Sequence, residues 1–216
     1  MMQEADSDYR NLNIKKLKKD GSIPWDQVEI ISRTINYGEL FIFPIDSIYG
    51  LVGLYSDEIA EKIIELTGES SDNLEVVISS FKMLEEMAIV EKSTYDFLRR
   101  IWPGEVIVQL KNRECSLNSN FLMRMPRHKY VLDIINAVGK PLFYLPLKTP
   151  ARKMILNDKN ILKRFKDICS ILLIEEFLKE HTSPTLIDVS SNNIVILNEG
   201  RVCAEEIKTL YFLSDL

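Results

Sequence analysis

Leu40-Phe41-Ile42-Phe43-Pro44-Ile45-Asp46-Ser47-Ile48-Tyr49-Gly50-Leu51 is the stretch whose reading decides the fold. An apolar run ends in a proline and gives way to a small polar residue, an aromatic and a glycine. That order predicts a buried strand opening into a loop, and loops at strand ends are where α/β proteins usually place ligand sites. Upstream, Val28, Ile31 and Ile35 form the stripe of a helix. Asp26 and Glu29 are spaced as a capping box for it, and Gly38 is its stop. Downstream, Asp57 starts a second helix with Ile59, Ile63 and Leu66 inward, ending at Gly68.

The same reading gives strands over residues 74–79, 105–110, 121–125, 141–145, 170–174, 185–189 and 194–197. Helices are expected from Ser93 to Trp102-Pro103-Gly104, over 130–138 and over 157–167. Strands and helices interleave, yet several strands sit in apparent hairpins. The expected fold is therefore α/β, a single-domain twisted open mixed sheet with flanking helices. Residues 1–23 read as a polar extension, a mobile tail or a short surface helix, and residues 24–216 as the domain.

A chain of 216 residues with 46% hydrophobic content can bury a full core, which excludes wholesale disorder. The net charge of -5 disfavours a protein that coats nucleic acid and leaves room only for a local basic groove. Cys115, Cys169 and Cys203 are far apart with no C-x-x-C pair, and only His128 and His181 could join them, so no metal site is expected. Buried, inert thiols in a reducing cytoplasm are the expectation, and no stretch has the length of a signal peptide or membrane span. A cytoplasmic protein away from membranes is expected. Trp25 and Trp102 read as core residues and His128 as a surface residue opening a helix.

Residues Pro44 to Leu51 resemble the P-T-D-T-x-Y-G-L signature of the YrdC-type threonylcarbamoyl-adenylate synthases. The resemblance extends to Trp102-Pro103-Gly104-Glu105-Val106, like the family's W-P-G-P-x-T, and to Arg124-Met125-Pro126-Arg127-His128, like R-x-P-x-H. Gly139-Lys140-Pro141-Leu142 is similar to its G-x-P-L, Ser183-Pro184-Thr185 with Asp188 to its S-T-x-x-D, and Ile196-Leu197-Asn198-Glu199-Gly200 to its I-L-R-x-G. These segments fall in family order over residues 24–207.

The resemblance implies a YrdC-like fold and a nucleotidyltransferase, an L-threonylcarbamoyladenylate synthase joining threonine, bicarbonate and ATP for tRNA threonylcarbamoyladenosine modification. It implies no tightly bound cofactor, ATP with Mg entering as substrate. Implied partners are tRNA or double-stranded RNA and tRNA-modification proteins. Carried onto this sequence, it makes Ser47, Tyr49, Arg124 and Ser183 candidates for substrate or nucleotide binding, with Lys148 and Arg201 as nearby cations. No catalytic residue is assigned. The expected site is one cleft formed by Pro44 to Leu51, Arg124, and the strand ends at Leu145 and Ser183.

The sequence departs from the family where ligand contacts belong. Ile45 replaces the signature's first threonine. Thr67-Gly68-Glu69-Ser70-Ser71-Asp72-Asn73 stands where K-x-R is expected, Leu145-Pro146-Leu147 where S-A-N is expected, and Asn198 at the arginine of I-L-R-x-G, with Arg201 close by. Losing one positioned polar contact to a transition state slows a reaction by about 10² to 10³. Several losses together predict weakened or lost catalysis. The alternative is a non-catalytic nucleotide-, RNA- or protein-binding module on the same fold. Three points stay open. Lys148, Arg152 and Lys153 either reach a pocket mouth or form a solvated basic turn. Tyr49 either faces the pocket or caps the core. Arg124, on an apolar strand, needs an anion, either a ligand or a carboxylate such as Asp46 or Asp188.

Overall fold

The apolar run around Phe41 folds back on itself as a hairpin instead of opening into a loop. Its first strand runs Phe41–Ile45 and its second Ile48–Leu54, so the whole family-like signature lies within two paired strands and the turn between them. The computed structural model describes residues 11–46, 48–113, 120–148, 158–174, 183–191 and 193–213. In chain order the elements are β1 (Asn11–Ile14), α1 (Trp25–Asn36), β2 (Phe41–Ile45), β3 (Ile48–Leu54) and α2 (Asp57–Thr67). Then come β4 (Glu75–Val77), α3 (Phe81–Met87), β5 (Ala88–Ile89), α4 (Lys92–Ile101), β6 (Val106–Asn112) and β7 (Asn120–Arg124). The rest are α5 (Lys129–Val138), β8 (Leu142–Pro146), α6 (Asp158–Phe165), β9 (Ser170–Ile174), β10 (Thr185–Asp188), β11 (Val195–Asn198) and α7 (Ala204–Phe212).

All strands join one sheet in the order β1-β9-β2-β3-β8-β4-β7-β6-β10-β11, with β5 paired to β6. The β1·β9, β2·β9, β4·β7 and β6·β10 pairings are parallel and the others antiparallel, the mixed sheet expected. Alternation along each strand divides the core. Phe41, Phe43, Ile45, Val52, Leu142 and Tyr144 pack with α1 and α5 on one face. Ile42, Tyr49, Leu51 and Leu145 pack with Ile59 and Ile63 of α2 and with Ile161 and Phe165 of α6 on the other. That second face continues as Val76, Val108, Met123 and Ile187 under Phe97 of α4 and Ile207 of α7.

Several local expectations are corrected. Part of the supposed polar tail is the edge strand β1, held by burial of Leu12 and Ile14 and by parallel pairing to β9. Helix α1 starts after Pro24 with no side-chain cap, so the Asp26–Glu29 box is not used. Pro24 pre-sets the entry, and its position leaves no room for Asp26 at the cap. Trp25 is 56% exposed, its indole donating to Glu29 3.1 Å away, whereas Trp102 is buried and donates to the Val106 carbonyl at 2.8 Å. Cys169 is buried but Cys203 is exposed as the cap of α7, and Cys115 lies outside the described residues.

Gly50 fixes how closely β8 crosses the signature hairpin. A Cβ on Gly50 would lie 2.2 Å from the Tyr144 ring. With hydrogen there instead, the ring packs against Gly50 and its hydroxyl donates to the Ile48 carbonyl at 2.6 Å. Gly50→Ala is therefore expected to lower unfolding stability by about 1–3 kcal/mol through overpacking. Urea denaturation checks this, and a wild-type midpoint would show that Tyr144 can move aside.

Candidate functional site

Asp46 sits at the hairpin turn with φ +51°, a left-handed conformation that Asp tolerates better than most residues. The turn aims its carboxylate under the start of α5. His128, at the N-cap position of that helix, brings its Nε2 within 2.7 Å of Asp46 Oδ1. Arg124 Nη1 donates to Asp46 Oδ2 at 2.8 Å, and Arg124 Nε lies 2.8 Å from Glu75 Oε2, an ion pair off the hydrogen-bond direction. The guanidinium lies over the Tyr144 ring, 4.8 Å from its centre. Strand register explains the meeting. Val77 pairs with Arg124 and Glu75 with Tyr144, so Glu75, Arg124 and Tyr144 share one face of adjacent strands.

The cluster is dry. Arg124 is 0% exposed, with Glu75 and Asp46 also buried. Burial works against the charge on Asp46, but the His128 hydrogen bond and the Arg124 guanidinium outweigh it and hold this carboxyl below its usual range. On Glu75 burial prevails over the pull of Arg124 and, with repulsion from Asp46, raises the carboxyl. Burial opposes the Arg124 charge too, yet Glu75 and Asp46 keep the guanidinium firmly protonated.

Of the open readings for Arg124, a structural carboxylate is what the structure holds. Asp46 is one of the two, Glu75 the unanticipated other, while Asp188 instead accepts from Gln109 at 3.0 Å. Tyr49 lies on the opposite face of the sheet, where its hydroxyl accepts from the Ile174 amide at 3.2 Å. The single cleft expected to join Tyr49 with Arg124 is therefore not formed. Ile45 is core against α1 and α5, and Leu145 and Leu147 are core against α2 and α6, so these three line no common pocket. Lys148 Nζ lies 3.9 Å from Glu69 Oε2, beside the segment that replaces K-x-R. Ser183 and Arg201 do meet, the Arg201 amide donating to the Ser183 carbonyl at 3.0 Å. Ser47, Arg152 and Lys153 lie outside the described residues.

A cleft of about 260 Å³ opens beside the cluster, lined by Ser71, Asp72, Leu74, Gln109, Asn120, Phe121 and Leu122. Leu74 precedes Glu75 in the chain and Leu122 pairs with it across the sheet, so Glu75 adjoins the cleft wall. None of these lining residues is cationic. Sequence reasoning missed Glu75 and the His128–Asp46 contact. The signal for the first was present: a carboxylate within the β-branched run 74–79 and a guanidinium within the apolar run 121–125 are each untenable alone. Among the described residues no group of three or more His, Cys, Asp or Glu is placed to hold a metal ion. No described helix is long and apolar enough to cross a membrane.

Fold and motif order agree with one family. Residues 33–200 match the Sua5/YciO/YrdC family model, described as "Telomere recombination", and the chain belongs to that family. It is related to the threonylcarbamoyl-AMP synthase of Pyrococcus abyssi, with 26% identity over 191 residues that cover 84% of this chain and 56% of the relative. The chain thus spans about half the length of that protein. P. abyssi Sua5, solved in complex with L-threonine, has a TM-score of 0.80 at 22% identity, covering 93% of this chain and 60% of the other. E. coli YciO has a TM-score of 0.78 at 16% identity, covering 91% and 98%. Both share the mixed sheet with flanking helices.

Arg124→Met should destabilise the fold by about 3–5 kcal/mol, because it leaves two carboxylates buried without their cation. Adding Asp46→Asn and Glu75→Gln should recover much of that loss, and additive losses in chemical denaturation would refute the coupling. Glu75 also gives a pH signature. Its folded-state value lies above the ordinary 4.5, so the stability it contributes is present below that pH and lost as pH rises through the folded value. Glu75→Gln cannot titrate, so its stability relative to wild type should rise between pH 4 and pH 8. A pH-independent difference in urea unfolding would contradict the raised carboxyl.

Proposed function

We propose that this chain is a YrdC-like protein related to threonylcarbamoyl-AMP synthesis in which that chemistry is weakened or lost. Its cleft then serves as a binding site for a small polar ligand. The observation that carries the reading is the closure of Arg124. A guanidinium with no exposure, paired with Asp46 and Glu75, is closed off from an incoming phosphate, its unpartnered Nη2 being buried with the rest. Adenylyl transfer needs cations to screen the phosphates and the charge that develops during transfer. The cleft lining provides none, and acidic Asp72 stands on its rim.

Family membership and the P. abyssi relative support the wider setting. In this reading ATP, threonine and bicarbonate are the ancestral substrates, tRNA or double-stranded RNA and tRNA-modification proteins are the partners, and the cytoplasm is the compartment. Retained catalysis is the second reading, and one observation favours it. Lys148 lies against Glu69, in the segment where K-x-R would stand, and can supply one replacement cation.

A pyrophosphate-release assay with ATP and bicarbonate, run with and without threonine, separates the two. No threonine-dependent release is expected, and calorimetry should find no low-micromolar ATP binding. Robust threonine-dependent release that disappears in Lys148→Glu would establish a rebuilt active site and overturn the proposal.

A further inference from the structure

β11 closes one margin of the sheet, and among the described residues no strand pairs with its outer side. An edge strand carries a row of N–H and C=O groups with no partner in the sheet. The sequence here, Asn193-Ile194-Val195-Ile196-Leu197-Asn198, sets four apolar residues between two asparagines, with no proline, glycine or charge. Ile194 and Ile196 are partly buried against the core beneath α4 and α7. Val195 and Leu197 are each 47% exposed. An apolar, uncharged strand at an uncovered margin is the pattern that promotes pairing with another chain.

The other margin is built differently. β1 runs straight into Lys15, Lys16, Lys18 and Lys19, all exposed, and lysines beside a sheet edge repel a further strand. Pairing β1 of one copy with β11 of the next would repeat head to tail and grow without closing, whereas β11 on β11 closes about a two-fold axis. The lysines guard against the first arrangement, and the strand at β11 carries no such charge against the second. Charge also selects a direction. Glu199 is the first charged residue after β11, and Arg201 beyond it is paired with Glu105, which Arg127 also engages. Parallel pairing would set Glu199 against its own copy. Antiparallel pairing sets it beside the uncharged Asn193-Ile194 end of the other strand. Shape points the same way. Leu186 pairs with Asn198 and Ile187 with Ile196, so Leu197 is an extra residue, a bulge that increases local twist. A second copy carries the same bulge and therefore the same twist.

We propose that β11 is the interface for a second copy of this chain, paired antiparallel and edge to edge, so that the two sheets become one. The two-fold axis then stands perpendicular to the sheet, and the α7 helices of both copies lie on the same face, one on each side of the junction. The ladder satisfies the outward N–H and C=O groups of β11, and Val195 and Leu197 lose their exposure. An edge of four residues belongs to the class of small interfaces, below about 1,200 Å² in total. The pairing is therefore reversible, with a Kd between roughly 10 µM and 1 mM. It depends on the margin of the sheet alone and is independent of what the cleft binds.

Sedimentation of the full chain from about 10 µM to about 1 mM tests this, and a reversible monomer–dimer equilibrium is expected over that range. Val195→Lys and Leu197→Lys each bring like charges together at the junction and should weaken the dimer roughly tenfold or more while melting like wild type. Asn13→Lys, on the opposite margin, should leave it unchanged. Hydrogen exchange gives a reading that needs no variant, because amides within β11 should gain protection as the dimer forms. A chain that stays monomeric throughout the range overturns the proposal, as does a dimer that survives both lysine variants. Assemblies larger than a dimer that Asn13→Lys disperses overturn it too, since β1 would then be the partner edge. Full protection of the β11 amides in the monomer would mean that the chain itself covers this margin, and would equally end it.

Discussion

Arg124 ties together four parts of the molecule that the chain supplies far apart. It neutralises Asp46 at the hairpin turn and Glu75 on β4, stacks on Tyr144 of β8, and shares Asp46 with His128 at the start of α5. Removing charges from water costs several kcal/mol per ion, so such a cluster persists only where geometry returns most of that cost. Here the return depends on a chain of fits. Gly50 admits the Tyr144 ring, that ring supports the guanidinium, and the guanidinium holds Asp46 in its left-handed turn. Tyr130 of α5 donates to the Pro44 carbonyl, pinning the same turn from the helix side.

Seen this way, the motifs shared with the family survive because they build the scaffold. Trp102 closes the end of α4 by donating to the Val106 carbonyl, and Gly200 lets its turn approach the Ser183 carbonyl. Tyr49 anchors β9 through the Ile174 amide. None of these roles needs a substrate. Motif retention and retained chemistry are separable, since Ile45, Leu145 and Leu147 depart from the family pattern and sit in the core, while Trp102, Gly200 and Tyr49 keep it and hold other parts of the chain.

The sheet was legible from the sequence because its strands are β-branched, apolar and bounded by turn residues, and the helices α2 and α5 because Gly68 and Gly139 stop them in the left-handed conformation. Helix α3, capped by Ser80 yet only seven residues long, and the short β5 lacked a periodic signal long enough to read. Edge strand β1 is adjacent to a lysine-rich run, and its charged context hid the buried Leu12 and Ile14. Site residues were less legible for a different reason. Sequence shows that Arg124 needs an anion, but Asp46 and Asp188 are equally eligible until strand register decides which faces it. Tyr49 was misassigned to the same cleft because one-residue alternation places it on the far face, a consequence of Pro44–Leu51 being strand where a loop was expected.

What a cation can still do depends on who already holds it and on how much of it water can reach. A carboxylate tethered in the fold competes with any ligand at high effective concentration, so a dissolved phosphate present at ordinary levels loses to it when both need the same donors. Arg124 meets both conditions for closure, with two carboxylates and no exposure. Lys148 is partly exposed and only loosely held, 3.9 Å from Glu69. Arg127 and Arg201 have a partner yet leave more than half their surface to solvent, and the partner uses a minority of their donors. The same residue type therefore has opposite meaning at the two places. Inside the sheet an acid has taken the role a ligand anion would fill, and at its rim an acid is shared by two cations that water still reaches.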